Sequence, residues 1–242
     1  MRTVLSAALT RALREELIVR NPARLVELPE WRRAPIRPWT AHEARHFLTA
    51  AKPDPLYAAF LMLVLYGLRL GEVLGLSWDD IDVYGGRVVV RQQLQRIRGE
   101  IFLAPVKTHA GNRALPLLDL AQDALKSQAE RQASTQEVMG TAWPDTRLVF
   151  TTKTGRPVEP RNLERSFRRI CENNEVRIIK VHHVRHTVGS LLKDLGVPAR
   201  DAQAILGHTR ISTTLEIYTD TDEQARRNAL TRLHDLLDQA EG

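Results

Sequence analysis

The chain has 242 residues, one cysteine, 43% hydrophobic and 26% charged residues, a mixture that reads as a soluble globular protein with room for an ordinary core. No apolar run approaches the roughly 20 residues that a membrane helix needs, so no membrane partner is expected, and a lone Cys171 excludes both an intramolecular disulfide and a cysteine-held metal. A formal net charge of +6 favours a polyanionic partner, nucleic acid first, although charge speaks to association and not to chemistry.

Leu5, Ala8, Leu9, Ala12, Leu13 and Leu17 fall on one stripe at helical spacing, which predicts an amphipathic helix over Leu5–Val19. Arg11, Arg14, Glu15 and Glu16 interrupt the apolar start too early for a signal peptide, so a cytoplasmic protein is expected. A lone helix cannot bury its stripe, and this one either docks on the rest of the chain or closes a domain that is otherwise missing. Pro29 to Trp39, with its prolines, arginines and tryptophans, reads as a stiff extended connector. The expected organisation is therefore a helical remnant over 1–28, a linker over 29–39 and a main domain over 40–242.

Thr40 and Glu43 form a capping box that opens this domain. Leu56–Tyr66 is predicted as a mostly apolar helix ended by Gly67, followed by a short helix through Leu70–Leu74. The period then changes. Val83–Gln95, broken at Gly85-Gly86, and Ile101–Leu117, broken around His109–Asn112, alternate like two hairpins of a small antiparallel sheet. Helices are predicted near 118–138, 160–174, 183–195, 199–206, 211–218 and 222–240, which makes the fold class mainly α with a small antiparallel sheet.

Three segments carry chemistry: Tyr66-Gly-Leu-Arg-Leu-Gly-Glu72, His182-His-Val-Arg-His186, and Leu206-Gly-His208 followed by Ser212-Thr-Thr-Leu-Glu-Ile-Tyr218. In order and spacing they resemble the tyrosine recombinase (phage integrase) family, over about residues 40–220. The resemblance implies that family's catalytic domain and its DNA breaking-rejoining fold. It makes Arg69 and Arg185 phosphate-binding arginines, His182 and His208 the site histidines, Tyr218 the nucleophile and Glu72 the support of the first arginine. Lys107, at the turn of the second predicted hairpin, fits the family's catalytic lysine. His183 stands where that family usually has aspartate, and Tyr66 where it usually has threonine. Neither position touches the phosphate in the family.

The residue types suit the reaction independently. A phosphodiester gathers charge on its non-bridging oxygens as it is attacked, and planar guanidinium groups grip two oxygens at once. A tyrosine hydroxyl, with an ordinary pKa near 10, needs a neighbour to take its proton or favour its anion. A lysine can protonate the departing 5′ oxygen. The expected activity is site-specific DNA recombination and integration through a 3′-phosphotyrosyl link, with strand exchange through a Holliday junction and without cofactor. Partners are double-stranded attachment sites and further copies of the chain in a tetramer, docked through residues 222–240.

Plainer readings stand beside these. Tyr218 alone reads as a helix-face core tyrosine, and Arg69 as the i, i+3 ion-pair partner of Glu72. His182 and His186 have zinc-ligand spacing, but no carboxylate lies between them and Arg185 would repel a cation, so no metal is expected. Arg161, Arg165 and Arg168, together with Arg91 and Arg96 on the hairpins, are candidate DNA-backbone contacts or merely solvated faces. Competing functions are a type IB topoisomerase and a non-catalytic DNA-binding regulator on the same scaffold. The family's usual front domain is represented only by its apparent last helix, so the chain reads either as an expressed fragment, the favoured reading and one that implies weak DNA affinity, or as a minimal recombinase, in both cases of a phage or integrative element.

Overall fold

In the computed structural model residues 2–27, 36–106, 108–218 and 231 are described, and the chain divides into two compact units, residues 1–36 and 37–242. The first unit holds helix α1 (Arg2–Arg14) and a 3-10 turn, Pro22–Arg24. Asn21 caps that turn by accepting from the Ala23 amide, while its Nδ2 donates to the Ser6 carbonyl and to Thr10 Oγ1, both at 2.9 Å. No residue of α1 is fully buried, although Leu9, Ala12 and Leu13 are half-buried, and the helix ends at Arg14, short of the predicted Val19, which leaves Leu17 of the expected stripe outside it.

The second unit begins before the predicted helix cap. Trp39, placed by the sequence at the end of the connector, is buried among Phe47, Phe60 and Phe167, with ring centroids 5.1 Å from Phe47 and 5.4 Å from Phe167. Its indole Nε1 donates to the Arg177 carbonyl at 2.7 Å, and its amide donates to Thr187 Oγ1 at 3.0 Å. Arg177 clasps the same approach: it donates to the Arg37 and Pro38 carbonyls and pairs with Glu43, whose carboxyl it holds down at about pKa 2. The Thr40/Glu43 capping box then starts α2 (Ala41–Ala51).

Helix α3 (Tyr57–Tyr66) has apolar side chains on every face and is buried on every face, as a central helix should be. Gly67, at φ 61°, ends it in the left-handed conformation that glycine adopts without a Cβ penalty. A Cβ there would lie 2.6 Å from Leu206, so the position is closed sterically as well. Helix α4 (Leu70–Leu74) follows at once.

The strands are β1 (Ile81–Asp82), β2 (Arg87–Val90), β3 (Gln92–Ile97), β4 (Glu100–Pro105) and β5 (Arg113–Pro116). They make two sheets and not the single one predicted: β1-β2-β5, and the hairpin β3-β4, all antiparallel. The hairpin closes at Arg98 (φ 52°) and Gly99 (φ 93°), two consecutive positive-φ residues that produce the two-residue turn matched to strand twist. Because β4 is taken by β3, β5 pairs with β2, where Val88 and Leu115 are cross-strand partners on the buried face. Position 107 therefore lies in the connection from β4 to β5 and not at a hairpin turn.

Helices α5 (Asp119–Met139), α6 (Pro160–Asn173), α7 (Val181–Asp194), α8 (Ala199–Leu206) and α9 (Ile211–Tyr218) complete the described unit. The amphipathic α6 buries Leu163, Phe167 and Ile170 and leaves Arg161, Arg165 and Arg168 in solvent. Burying each such large apolar side chain contributes about 1.5–3 kcal/mol. No helix among the described residues is long and apolar enough to cross a membrane.

Candidate functional site

The site assembles from turns at helix ends. Arg69 is the N-cap of α4, and Glu72, one turn later, accepts from the Arg69 amide at 3.0 Å and from its Nη1 at 2.5 Å. The Glu72 side chain is 2% exposed. Its second partner is Arg113 of β5, whose Nη2 donates at 3.1 Å. Burial alone would raise the Glu72 pKa, but the charges and hydrogen bonds of Arg113 and Arg69 outweigh it and hold the carboxylate below its ordinary value.

Arg69 also reaches forward, its Nη2 donating to the Gly207 carbonyl at 3.1 Å. Gly207 ends α8 at φ 65°, and a Cβ there would lie 2.6 Å from Arg113 Nη1 and 2.8 Å from the Ala110 carbonyl. That turn delivers His208. Arg185, on the face of α7 turned toward α3, donates from Nε to His208 Nε2 at 3.2 Å and from Nη1 to the Gly67 carbonyl at 2.8 Å. Arginine can only donate, so Nε2 is the acceptor and the His208 proton sits on Nδ1. Nδ1 therefore donates to Thr214 Oγ1 at 2.8 Å.

Electrostatically this is a buried pocket with an excess of positive charge, three arginines around one carboxylate. Burial, and after it the neighbouring Arg69 charge, pull Arg185 down to about 9, so it stays protonated at neutral pH. Burial and the charges of Arg185 and Arg69 hold His208 down at about 4, in its neutral form. The Nη2 of Arg185 is buried and has no hydrogen-bond partner among the described residues. An unmatched guanidinium N–H in such a place is costly unless an acceptor arrives. On the Arg69 side of the cluster, Arg69, Glu72, Gln93, Val106, Thr108, Gly111 and Thr209 line a cavity of about 310 Å³, whose lining includes neither Arg185 nor His208.

The structure thus brings Arg69, Glu72, Arg185 and His208 together. Tyr218 is placed differently: it ends α9, and its phenol donates to the Val197 carbonyl at 3.0 Å, in the turn between α7 and α8, while burial raises its pKa. His182 starts α7 with its ring edge-on to His183 at 4.2 Å, and lines a separate cavity with Phe167, Arg168, Ile179 and Lys180. Lys107 lies outside the described residues, though its neighbours Val106 and Thr108 line the arginine cavity. The helix expected over 222–240 also lies outside them, apart from Thr231.

Of the candidate backbone contacts, Arg91 is bound to Asp80 and to the Asp79 carbonyl, Arg96 to Glu159 at 3.0 Å, and Arg168 to Glu172 at 2.7 Å. Arg161 and Arg165 are exposed on α6. Thr187 accepts from the Trp39 amide and donates to the His183 carbonyl at 3.3 Å. The residue that sequence reasoning missed is Arg113, buried at the heart of the cluster. A signal existed: in β5 it occupies the same inward phase as Leu115, where a charge must have partners.

A tyrosine recombinase XerC-like protein of Caldanaerobacter subterraneus subsp. tengcongensis is 30% identical over 213 residues, 83% of this chain and 54% of that protein. An integrase of Streptomyces ambofaciens is 28% identical over 88% of this chain and 57% of its own length. The chain therefore spans little more than half of these relatives. Among solved structures, a Tn1549 transposon integrase in complex with circular intermediate DNA superposes with a TM-score of 0.80 at 22% identity, covering 96% of this chain and 77% of that one. A lambda integrase dimer bound to a core site gives 0.58 at 20% identity, over 92% and 72% of the two chains. These likenesses show the tyrosine recombinase catalytic fold, and because residues 37–225 match the phage integrase family, the chain belongs to that family.

Proposed function

We propose that the chain cuts and rejoins DNA by transesterification, as the catalytic part of a site-specific recombinase of a mobile element. Arg185 and Arg69 hold the non-bridging oxygens of the scissile phosphate. Tyr218 Oη bonds to phosphorus as the P–O5′ bond breaks; the phenolic proton passes to His182, since both nitrogens of His208 are already engaged, and Lys107 protonates the departing 5′ oxygen. The 5′-hydroxyl of a partner strand then attacks the phosphotyrosine and restores the diester, so the bond count is conserved and no external energy source is needed. Exchange takes place between two double-stranded recombination sites, within a tetramer to which residues 222–240 contribute, and His182, Arg161 and Arg165 add contacts to DNA.

One observation carries this reading: the buried Nη2 of Arg185, without a hydrogen-bond partner among the described residues, close to Arg69 and the neutral His208. The arrangement suits an oxyanion that bears more charge in the transition state than before it. The names of the relatives, and the DNA in the solved structures of similar fold, point the same way. The test is covalent capture on a nicked suicide duplex carrying the recombination site. The protein is expected to become cross-linked to the 3′ end, and Tyr218→Phe to lose the adduct entirely; an undiminished adduct in Tyr218→Phe would end the assignment.

A further inference from the structure

Arg113 is not among the residues that the family resemblance marks, yet its side chain is only 7% exposed and its donors are spent on protein atoms. Nη2 donates to Glu72 Oε2 at 3.1 Å, Nε to the Ile205 carbonyl at 2.9 Å, and Nη1 to the Gly111 carbonyl at 3.1 Å. These acceptors belong to different segments: the α4 turn that aims Arg69, the end of α8 that delivers Gly207 and His208, and the 3-10 turn His109–Gly111 that follows position 107. Only a planar fork reaches three diverging acceptors from one side chain, which a lysine ammonium on a flexible stem does not. Gly207 fits the same design, since any side chain there would strike the Arg113 guanidinium.

We propose that Arg113 is a positioning residue for strand cleavage: it braces the Glu72 carboxylate against which Arg69 is aimed, and it locks the segment after position 107 to the Gly207–His208 turn. The proposal rests on the function argued above for its kinetic consequence, but not for its geometry. Arg113 itself does not meet the phosphate. It acts through Glu72, which would otherwise be a buried carboxylate with Arg69 as its one charged partner. It also acts through the carbonyls that fix where Arg69 and His208 stand. A displacement of about 1 Å in such a group costs on the order of 100-fold in rate.

Two measurements on Arg113→Met test this. The first is independent of catalysis: the carboxyl of Glu72, followed by 13C NMR, is expected to titrate at higher pH in the variant than in the unaltered protein, because burial is then less opposed. An unchanged titration overturns the brace. The second compares cleavage of a normal duplex with one bearing a methylphosphonate at the scissile position, which lacks the charged oxygen that aligned guanidinium groups serve. Arg113→Met is expected to lose about 100-fold on the phosphodiester and clearly less on the methylphosphonate, whereas an equal loss on both overturns a positioning role in favour of general damage.

Should Arg113→Met fail to fold, Glu72→Gln with Arg113→Met removes both charges together and is expected to fold with the same selective loss; phosphodiester cleavage at the unaltered rate in that double variant overturns the proposal. If the unaltered protein gives no covalent adduct, the functional reading falls, while the Glu72 titration still decides the brace.

Discussion

Arg69 and Arg185 reach their places through buried, interlocked partners, whereas Tyr218 ends the last helix described with its phenol committed to a carbonyl outside that cluster. The arginine side is assembled by the chain's own groups: Glu72, Arg113 and the Gly67 and Gly207 carbonyls hold it. Among the described residues the Tyr218 phenol itself has one hydrogen bond, worth about 0.5–1.5 kcal/mol, while its helix α9 is joined to the cluster through Thr214 and His208. The contrast teaches that charge is expensive to organise in a low-dielectric pocket and must be arranged by the fold, while a neutral phenol can be kept aside and brought in later at small cost.

The contrast can be broken at either end. The largest effect is expected from Arg185→Lys, because an ammonium does not span both His208 Nε2 and the Gly67 carbonyl; cleavage should fall about 10²- to 10³-fold, as when one oxyanion donor is lost. Single-turnover adduct formation measures it, and a loss of under about threefold would mean that the pocket is not pre-arranged for the phosphate. Glu72→Ala comes next. It leaves Arg69 and Arg113 without their shared carboxylate, and denaturant unfolding should show a loss of about 3–5 kcal/mol.

A pH effect is smaller. His208 is held near 4 when folded against an ordinary 6.5, so below 6.5 the unfolded chain takes up a proton that the folded chain refuses. Its contribution is complete above about pH 6.5 and is lost as pH falls toward about 4. Melting temperature against pH should therefore drop more steeply through that window in the unaltered protein than in His208→Gln, and parallel curves would dissociate His208 from the pocket. Smallest of all, Tyr218→Phe should lower unfolding stability by no more than about 0.5–1.5 kcal/mol, however complete its loss of chemistry; a larger drop would make the tyrosine part of the scaffold and erase the contrast.

Much of this was legible in the sequence because its causes are local. The Thr40/Glu43 cap, the stop at Gly67 and the apolar period of α3 each depend on neighbours within a turn or two. Arg69, Arg185 and His208 came from motif wording, and the fold did bring them together. The hairpin across Gly85-Gly86 is present as β1-β2, but the pairing of β3 with β4 was not legible, because Arg98-Gly99 is not one of the usual two-residue turn pairs. Arg113 was passed over as one more basic residue in a basic chain, since its acceptors lie 41 and 92 positions away for Glu72 and Ile205. The contact between Tyr218 and Val197 spans two helices and a turn and has no pattern of its own.

The clasp at the entrance of the second unit has a mechanical corollary. Trp39 hangs from Thr187, and Arg177 grips the carbonyls of Arg37 and Pro38; Thr187 is two residues beyond Arg185 on the same helix. The segment Arg37–Trp39 is thus fastened to the helix that bears Arg185. Trimming the chain at residue 40 would sever that tether and remove a tryptophan from the aromatic stack, so a self-sufficient piece must keep Arg37, Pro38 and Trp39.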